Sequence, residues 1–378
     1  MKSLLLFTFI LTAFAASDRL RIYQFEVGQG DSSLIIFPSG YSILIDLGED
    51  NGDAKNAKYV AKRLKAIIGG TKVNVFVLTH YHTDHHGAVN KGGVWYLLEK
   101  EGFTFGKFVY RNAGVYKGSK LSDCNKDTIS WKYVGKIGAY SMVCYATSQK
   151  DKTKLSKVAE RADLCSKSQI NPPDDQAEVE ITMRDAYNVK MENGKKLNDN
   201  YRTTTNPPSE NDYSICLRVQ YGDFVYTTCG DLSGYNWHKD GRDYVFHDVE
   251  SSVAPMIGEV DAMKVNHHGS KTSTNEKWCA TLKPTVAVIT CGPKSSFPDT
   301  RVLNNLKNVN AKVYLTTDCN EERTAKYANT ITFNKDVVIK YKLGDKTFTV
   351  SKPNGDNKAT YNVKMNKPKR EACKKLPA

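Results

Sequence analysis

The sequence contains no apolar run long enough to cross a lipid bilayer as a helix, for which about 20 residues are needed. Its longest apolar run, residues 4–14, is too short, and no later run is longer. None of the cysteines has the spacing of a zinc knuckle, and no Asn-x-Ser/Thr sequon occurs. These absences argue against a membrane-spanning enzyme, a cysteine-based zinc module and N-linked glycans.

The first 16 residues have the pattern of a secretory signal peptide. Lys2 precedes the apolar run, and Ala13 and Ala15 form an A-x-A cleavage pattern. We therefore expect residues 1–16 to be removed and the mature protein to be secreted, extracellular and free of the membrane. An uncleaved N-terminal anchor is the alternative.

All nine cysteines lie after this segment, which favours an oxidising compartment, and their odd number leaves at least one outside any internal disulfide. Cys216 and Cys229 flank a predicted two-residue turn at residues 222–223, which sets them opposite each other. A cross-strand disulfide and two separate buried thiols both agree with this pattern.

A formal net charge of +13 favours anionic partners. Such an excess attracts polyanions such as nucleic acid, anionic cell-wall polymers or phosphorylated lipids, but it also keeps a protein soluble without implying a partner. Part of it is local, because residues 364–375 contain six basic residues and one acidic residue. We predict a basic C-terminal tail at residues 351–378, an anionic substrate with DNA or RNA as candidates, and a monomer.

Four of the eight histidines fall within seven residues, together with an aspartate. The run before them, residues 73–78, is typical of a short strand buried on both faces, so the cluster lies at a strand's carboxyl end. Imidazole and carboxylate ligands suit zinc and, with more oxygen, manganese or iron. Surface histidines in a polar loop are the alternative. The cluster consists of His80, His82, Asp84, His85 and His86.

The pattern HxHxDH at residues 80–85 resembles the signature of the metallo-β-lactamase superfamily of hydrolases. VGQGD at residues 27–31 and HHGSK at residues 267–271 narrow the resemblance to one branch. That branch contains the hydrolase domain of ComEC-type DNA-uptake proteins and the secreted phosphorylcholine esterases. The resemblance spans roughly residues 20 to 345. It implies an α/β fold, the αβ/βα four-layer sandwich in which two mixed β-sheets are flanked by helices.

The resemblance also implies a site with two divalent metal ions, zinc or manganese. The implied metal ligands are His80, His82, Asp84, His85, Asp231 and His267, with Asp231 bridging the two ions. Asp31 and Asp46 are expected behind the ligands, where a carboxylate accepts a hydrogen bond from a ligating imidazole. The implied catalytic residues are Asp84, His268 and Lys271, the lysine as a point charge for a phosphate. Which of His267 and His268 binds metal is left open.

The chain also departs from relatives in this family. No histidine occurs in residues 207–214, where other members supply a further metal ligand, and Asn211 and Ser214 stand there instead. Phe297 replaces a histidine before proline, and Ser233 replaces an acidic residue. An open position on the first metal suits a phosphate oxygen. We therefore expect a secreted dinuclear phosphodiesterase or nuclease acting on extracellular nucleic acid.

There are two alternatives. One, also an enzyme, is a hydrolase of phosphocholine esters, lactones or β-lactams; the other, from a different class, is a non-catalytic, polyanion-binding protein on the same fold. The expected organisation is a hydrolase domain at residues 17–350 with an insertion or lid at residues 110–206. Within it we predict helices at residues 54–68, 94–100, 154–162 and 300–308. We also predict a hairpin at residues 213–231 and a closing hairpin at residues 330–350.

Overall fold

The computed structural model describes residues 17–48, 53–118, 120–125, 127–129, 137–184, 207–238, 244–293 and 295–374. Within these residues, no helix is long and apolar enough to cross a membrane. The segment predicted as a signal peptide, residues 1–16, lies outside them. Two large mixed sheets pack face to face with helices on their outer faces, so the predicted αβ/βα sandwich is confirmed.

Strands account for most of the regular structure. In chain order the described residues form β1 Arg19–Gln24, β2 Ser33–Ile36, β3 Ser42–Ile45, β4 Lys72–Leu78, β5 Thr104–Tyr110, β6 Ala159–Arg161, β7 Ala177–Met183, β8 Cys216–Tyr221, β9 Phe224–Thr228, β10 Trp237–His238, β11 Val245–Phe246, β12 Ala262–Lys264, β13 Val286–Ile289, β14 Lys312–Leu315, β15 Thr330–Thr332, β16 Val337–Lys342, β17 Thr347–Ser351 and β18 Ala359–Asn362.

The two sheets have the same design. The first has the order β18-β17-β16-β1-β2-β3-β4-β5-β6, antiparallel as far as β3 and parallel from β3 to β6. The second has the order β15-β14-β13-β12-β9-β8-β7, parallel from β15 to β9 and antiparallel beyond. In each sheet, therefore, parallel strands end along one edge.

Helices cover the outer faces. They are α1 Lys55–Ile68, α2 Thr83–His86, α3 Gly93–Glu99, α4 Ile137–Thr147, α5 Glu250–Ile257, α6 Glu276–Leu282, α7 Thr300–Asn308 and α8 Glu321–Thr324. Helix α1 ends at Gly69, whose positive φ lets its N–H bond to Lys65 O. At its start, α6 is capped by the side chain of Asn275, which accepts a hydrogen bond from Trp278 N.

Three apolar cores separate the four layers, and β4 contributes to two of them. Val75 and Val77 pack between the sheets, whereas Phe76 and Leu78 pack under the helices of the first sheet. Successive strand residues point to opposite faces, so this alternation is what a strand buried on both sides requires. The prediction for this strand is confirmed, and its burial holds the following histidines in a rigid frame.

Several predicted elements agree with the structure, and two do not. Helix α7 and the hairpin β8–β9 lie where the sequence predicts them, and Cys216 pairs with Cys229 in a disulfide. The closing hairpin consists only of β16 and β17, because β15 lies in the other sheet. Residues 154–162 contain a short 3₁₀ turn and β6 rather than the predicted helix.

The described residues between 110 and 184 are built into the sandwich. They supply β6 to one edge of the first sheet and β7 to one edge of the second. The disulfide Cys124–Cys144 lies among them, and Cys165 bonds to Cys373. Residues 185–206 lie outside the described part of the chain. The role of residues 110–206 as a lid stays a prediction.

The described C-terminal residues differ from the predicted basic tail at residues 351–378, because they are packed into the fold. Strand β18 extends the first sheet, and the chain beyond it docks through ion pairs with buried carboxylates. Lys367 lies 2.8 Å from Asp261, and Arg370 lies 2.5 Å from Glu180. Two of the six basic residues counted at residues 364–375 are therefore ion-paired within the fold.

Candidate metal centre

Side chains of the types that bind metals converge where strands of both sheets end. Asp46 follows β3, and His80 and His82 follow β4, its parallel neighbour. Asp231 follows β9, and the histidine pair at residues 267–268 follows β12, which is parallel to β9. Because parallel strands bring their carboxyl ends to one edge, residues far apart in sequence meet there.

The backbone around α2 is packed too tightly for side chains at two glycines. A Cβ atom at Gly48 would lie 1.7 Å from Asp84 O, and one at Gly30 would lie 2.8 Å from it. Asp31 N also donates to Asp84 O at 3.0 Å. The glycines therefore allow the loops after β1 and β3 to fix the helix that carries Asp84 and His85.

Two sets of side chains have candidate ligand atoms that all lie within 4.8 Å of one another. The first, which we call the inner group, is entirely buried and consists of Asp31, His85, Asp231 and His268. The second, which we call the outer group, contains one partly exposed member, His82, and consists of His80, His82 and Asp231. Asp231 belongs to both groups.

The inner group has polar atoms that face one another without hydrogen bonds. Asp231 Oδ1 lies 3.1 Å from His85 Nε2 and 3.6 Å from His268 Nε2. Asp84 Oδ2 lies 3.4 Å from the same His268 atom. Within the described residues, His85 Nε2, His268 Nε2 and Asp231 Oδ1 are buried and have no hydrogen-bond partner. Buried polar atoms nearly always have partners, so these atoms fit a bound cation.

Asp46 holds His85 from behind. Its carboxylate lies 2.8 Å from His85 Nδ1 and accepts hydrogen bonds from Thr79 N at 2.8 Å and Thr79 Oγ1 at 2.7 Å. Asp46 adopts φ 56°, an uncommon backbone conformation outside glycine. With Nδ1–H donating to Asp46, the Nε2 lone pair of His85 is turned toward Asp231.

His268 is held in the same way by two further partners. Its Nδ1–H donates to Thr290 O at 2.9 Å, and its Nδ1 lies 3.6 Å from Asp31. Asp31 is itself paired with Lys264, whose buried Nζ lies 2.5 Å from the carboxylate and donates to Gly230 O at 3.0 Å. This lysine thus joins the Asp31 carboxylate to the backbone just before Asp231.

The outer group is more open. His80 Nε2 lies 3.1 Å from His82 Nδ1 and 3.9 Å from Asp231 Oδ2. The backbone between the two histidines is anchored by Glu210, which accepts a hydrogen bond from Tyr81 N at 2.9 Å. Glu210 is also bonded to Arg111, which is fully buried.

The buried charges shift the acidities of these groups. Burial favours neutral His85, but Asp231 and Asp46 outweigh that effect and raise the pKa of His85 well above its usual value. Burial acts likewise on His268, yet Asp231 and Asp31 raise its pKa to about 9. Burial also acts to raise the pKa of Asp231, but the neighbouring imidazoles hold it well below its usual range. The carboxylates thus create a field that attracts positive charge.

The structure brings most of the predicted site residues together. His80, His82, Asp84, His85 and Asp231 all lie at this edge, and Asp46 lies behind His85 as predicted. His268, rather than His267, enters the inner group, which favours His268 as a ligand there. Asp31 enters it too, although its Lys264 pair places it on the Nδ1 side of the rings. His86 turns away, with Nε2 3.2 Å from Tyr81 O.

Lys271 lies beside the centre rather than in it. It is exposed, and its Nζ lies 4.5 Å from the centre of the Trp237 ring. A second such pair has Arg301 Cζ 4.6 Å from the Tyr235 ring. Trp237 packs against Phe246, which in turn neighbours His267. We call Tyr235, Trp237, Lys271 and Arg301 the basic rim.

Sequence reasoning missed the residues that orient the ligands. Lys264 and Thr290 lie in ordinary strand patterns, and Arg111 and Glu210 are separated by 99 positions. Charged side chains are almost never fully buried unless paired. A lysine at the end of the apolar strand β12 was the one available signal, because a charge there needs a partner.

A comparison with protein families matches residues 25–91 to the metallo-beta-lactamase superfamily. ComE operon protein 3 of Bacillus subtilis is 33% identical over 127 residues, which are 33% of this chain and 15% of that protein. Recombination protein 2 of Haemophilus influenzae is 29% identical over 107 residues, or 28% of this chain and 12% of that protein. The match thus covers only a small part of either relative.

Solved structures to which this chain is similar include a diphosphatase and a yeast protein, PDE1. A diphosphatase of the PhnP family is 12% identical and has a TM-score of 0.36, covering 86% of this chain and 99% of that one. Unliganded yeast PDE1 is 9% identical with a TM-score of 0.39, covering 83% and 97%. At these TM-scores the likeness says nothing about substrate.

Proposed function

Residues 25–91 carry a metallo-beta-lactamase superfamily domain, and on that premise we propose that the protein is a secreted, dinuclear, metal-dependent phosphodiesterase acting on extracellular nucleic acid. Members of this superfamily are generally metal-dependent hydrolases. The observation that carries the proposal is the convergence of buried imidazole and carboxylate atoms without hydrogen-bond partners in the described residues. Four disulfides and the lack of a membrane-spanning helix in those residues are compatible with secretion.

The ligands divide into two adjacent positions that share Asp231. His85, His268 and Asp84 would hold one ion with Asp231 Oδ1, and His80 and His82 would hold the other with Asp231 Oδ2. Zinc or manganese suits this mixture of nitrogen and oxygen donors. Bound there, two divalent cations would lower the pKa of a shared water and stabilise the oxyanion formed by its attack.

The chain's own residues orient the reaction. Asp46 and Thr290 fix the tautomers of His85 and His268, so both rings present lone pairs to the centre. On the substrate side, the Lys271 ammonium and the Arg301 guanidinium can each hold a phosphate oxygen. Because both cations lie on aromatic rings, bases of a nucleic-acid strand would find planar neighbours there.

The rim also supports a second candidate substrate, a phosphocholine ester. The Trp237 ring already has an ammonium group over its face, at 4.5 Å from the ring centre. A quaternary ammonium would be attracted by the same ring if Lys271 moved aside. A neutral lactone would gain nothing from the cations.

The test is metal analysis of the purified protein followed by one substrate panel. The panel contains bis-p-nitrophenyl phosphate, single-stranded and double-stranded DNA, RNA, p-nitrophenyl phosphorylcholine and nitrocefin. We expect about two equivalents of metal and chelator-sensitive cleavage of the phosphodiesters. If the protein binds metal but cleaves only nitrocefin, it is a metal-dependent hydrolase, and the proposed phosphodiester substrate is wrong. Absence of bound metal under all loading conditions would refute the mechanism.

A further inference from the structure

We propose that the adjacent histidines His267 and His268 bind different metal ions, His268 in the inner group and His267 in the outer group. This inference rests on the dinuclear centre proposed above and completes it. It gives the outer ion a third imidazole from the opposite side of the sandwich.

The backbone at the pair has a shape that separates the two rings. The 3₁₀ turn Asn266–Gly269 contains His267 at φ 47°, ψ 45° and His268 at φ 53°, ψ 19°. Two consecutive residues other than glycine in the left-handed region are rare, and such strain clusters at functional sites. The ring planes are 65° apart and the ring centroids 6.2 Å apart. Neighbours in sequence thus reach different places.

The two histidines face different carboxylate oxygens of Asp231. His268 Nε2 lies 3.6 Å from Oδ1, the oxygen that also faces His85. His267 Nε2 lies 3.7 Å from Oδ2, the oxygen that also faces His80. A carboxylate that bridges two cations presents one oxygen to each, so each histidine lies on the side of a different ion.

The surroundings of His267 suit a ligand. Its Nδ1 lies 3.0 Å from Thr272 Oγ1, a partner that can hold the ring from behind. The Asn211 amide nitrogen lies 3.1 Å from Nδ1 and 3.2 Å from Nε2, so an ion bound at Nε2 would replace the amide contact there. Asn211 Oδ1 is buried and has no hydrogen-bond partner among the described residues.

With His267 the outer position has three imidazole nitrogens and one carboxylate oxygen. Structural zinc ions usually have four protein ligands and catalytic ones three plus a water, with expansion to five, so an ion held by these four donors would still have room for a water or a phosphate oxygen. The competing role for His267 is proton donation to the leaving group, which needs proximity to substrate but no metal bond. The two roles differ in their effect on metal binding.

The experiment measures metal content and affinity of the purified full-length chain, loaded with zinc or with cobalt as a spectroscopic probe. Variants are His267→Ala, His268→Ala, His80→Ala and His85→Ala, with His267→Gln in case the alanine variant misfolds. His238→Ala, an exposed histidine on β10, is the matched control. Circular dichroism checks folding.

His267→Ala should weaken one class of metal site by tenfold or more and leave the other unchanged, since even partners outside the ligand shell are worth about 10-fold to 100-fold. His80→Ala combined with His267→Ala should still retain one ion, because both changes strike the same position. His85→Ala combined with His267→Ala should lose both ions. His238→Ala should bind metal like the wild type.

Three outcomes would overturn the inference. One is a His267→Ala protein that retains both ions at wild-type affinity while losing activity, which would make His267 a proton donor. Another is a double variant, His85→Ala with His267→Ala, that retains one ion. That result would place His267 in the same group as His85. The third is a wild type that binds a single ion. A wild type that binds no metal would instead refute the proposed function.

Discussion

The inner and outer groups share Asp231 but differ in how the fold holds their imidazoles. In the inner group, Asp46 holds His85 and Thr290 holds His268, each through the ring Nδ1. In the outer group, His82 is partly exposed and its Nδ1 contacts His80 at 3.1 Å. Both imidazoles of the inner group thus have a buried partner at Nδ1, whereas in the outer group, within the described residues, only His80 has one, Thr79 Oγ1 at 3.1 Å.

This difference has a functional meaning. Ligands fixed by buried partners lose little freedom on binding a cation, so we expect the inner position to bind metal more tightly. The outer position borders the basic rim through Phe246 and His267, so we expect it to face the substrate. The following changes test that division, from the largest expected effect to the smallest.

Asp231→Ala should disable both metal positions, because Asp231 belongs to both groups. Turnover should fall by about 1,000-fold or more, because a metal ion contributes several kcal/mol to the transition state and 1.36 kcal/mol is a factor of ten. Asp84→Ala should remove turnover by weakening the inner position alone. Metal analysis should find less than one ion in the first variant and about one in the second. Near-wild-type activity in either would contradict the dinuclear mechanism.

Arg111→Met should loosen the outer group while sparing the inner one. The change leaves Glu210 buried without its charged partner, which typically costs about 3–5 kcal/mol of unfolding free energy. Urea denaturation measures that loss, and metal titration should show weaker binding at the outer position. Adding Glu210→Gln should recover part of the stability, because the unpaired charge is then removed. An equal loss of metal affinity at the inner and outer positions would contradict the proposed difference between them.

Asp46→Asn should weaken the inner position more than the outer one, because Asp46 contacts His85 directly and reaches His80 only through Thr79 Oγ1. The amide cannot accept all the hydrogen bonds that the carboxylate now receives from Thr79 and His85. We expect inner-metal affinity to fall by about 10-fold to 100-fold. Asp356→Asn, at an exposed aspartate in the C-terminal region, is the control and should change nothing. Isothermal titration calorimetry with zinc measures the metal affinity of both variants.

Lys271→Ala and Arg301→Ala should weaken cleavage of polymers more than cleavage of small esters. Each phosphate contact contributes about 0.7 to 0.9 to the salt slope, or about threefold between 50 and 200 mM salt. The comparison is the ratio of DNA to bis-p-nitrophenyl phosphate activity at both salt concentrations. Lys358→Ala, at an exposed lysine beyond β17, should leave the ratio unchanged. If the wild-type ratio is the same at both salt concentrations, the positive charge serves solubility rather than substrate binding.

Cys279 should show no reaction at all in the native protein. It is buried and is the one cysteine outside the four disulfides. Burial, with Glu250 and Glu276 nearby, raises its thiol pKa, so the reactive thiolate is scarcer at neutral pH than in an exposed cysteine. Mass spectrometry after iodoacetamide should find one label only in denaturant. Labelling of a folded variant would reveal a loosened core around the centre.

Truncation of residues 364–378 would not be a clean test of polyanion binding. Lys367 and Arg370 pair with Asp261 and Glu180, and Cys373 is bonded to Cys165. Removing the segment would leave buried carboxylates unpaired, so the fold itself would weaken. Composition overstated the charge available to a partner, because a net charge does not show which cations are already paired.

The sequence by itself determined the fold class and the identity of the residues at the centre. Apolar alternation predicts β4, and the spacing of His80, His82, Asp84 and His85 after it is a local pattern. Local patterns survive folding because the residues that form them are neighbours along one strand and turn. The same holds for α7 and for the position of Cys216 opposite Cys229 across one short hairpin, although the sequence left open whether the two form a disulfide.

Tertiary structure alone decided how the site is held and how its ligands are shared. The contacts of Asp31 with Lys264, of Thr290 with His268, and of Arg111 with Glu210 join residues 22 to 233 positions apart. The division of His267 and His268 between two oxygens of Asp231 depends on backbone angles that no residue pattern encodes. Such contacts form only when two sheets close on one another, so their partners are chosen by the packing of distant strands.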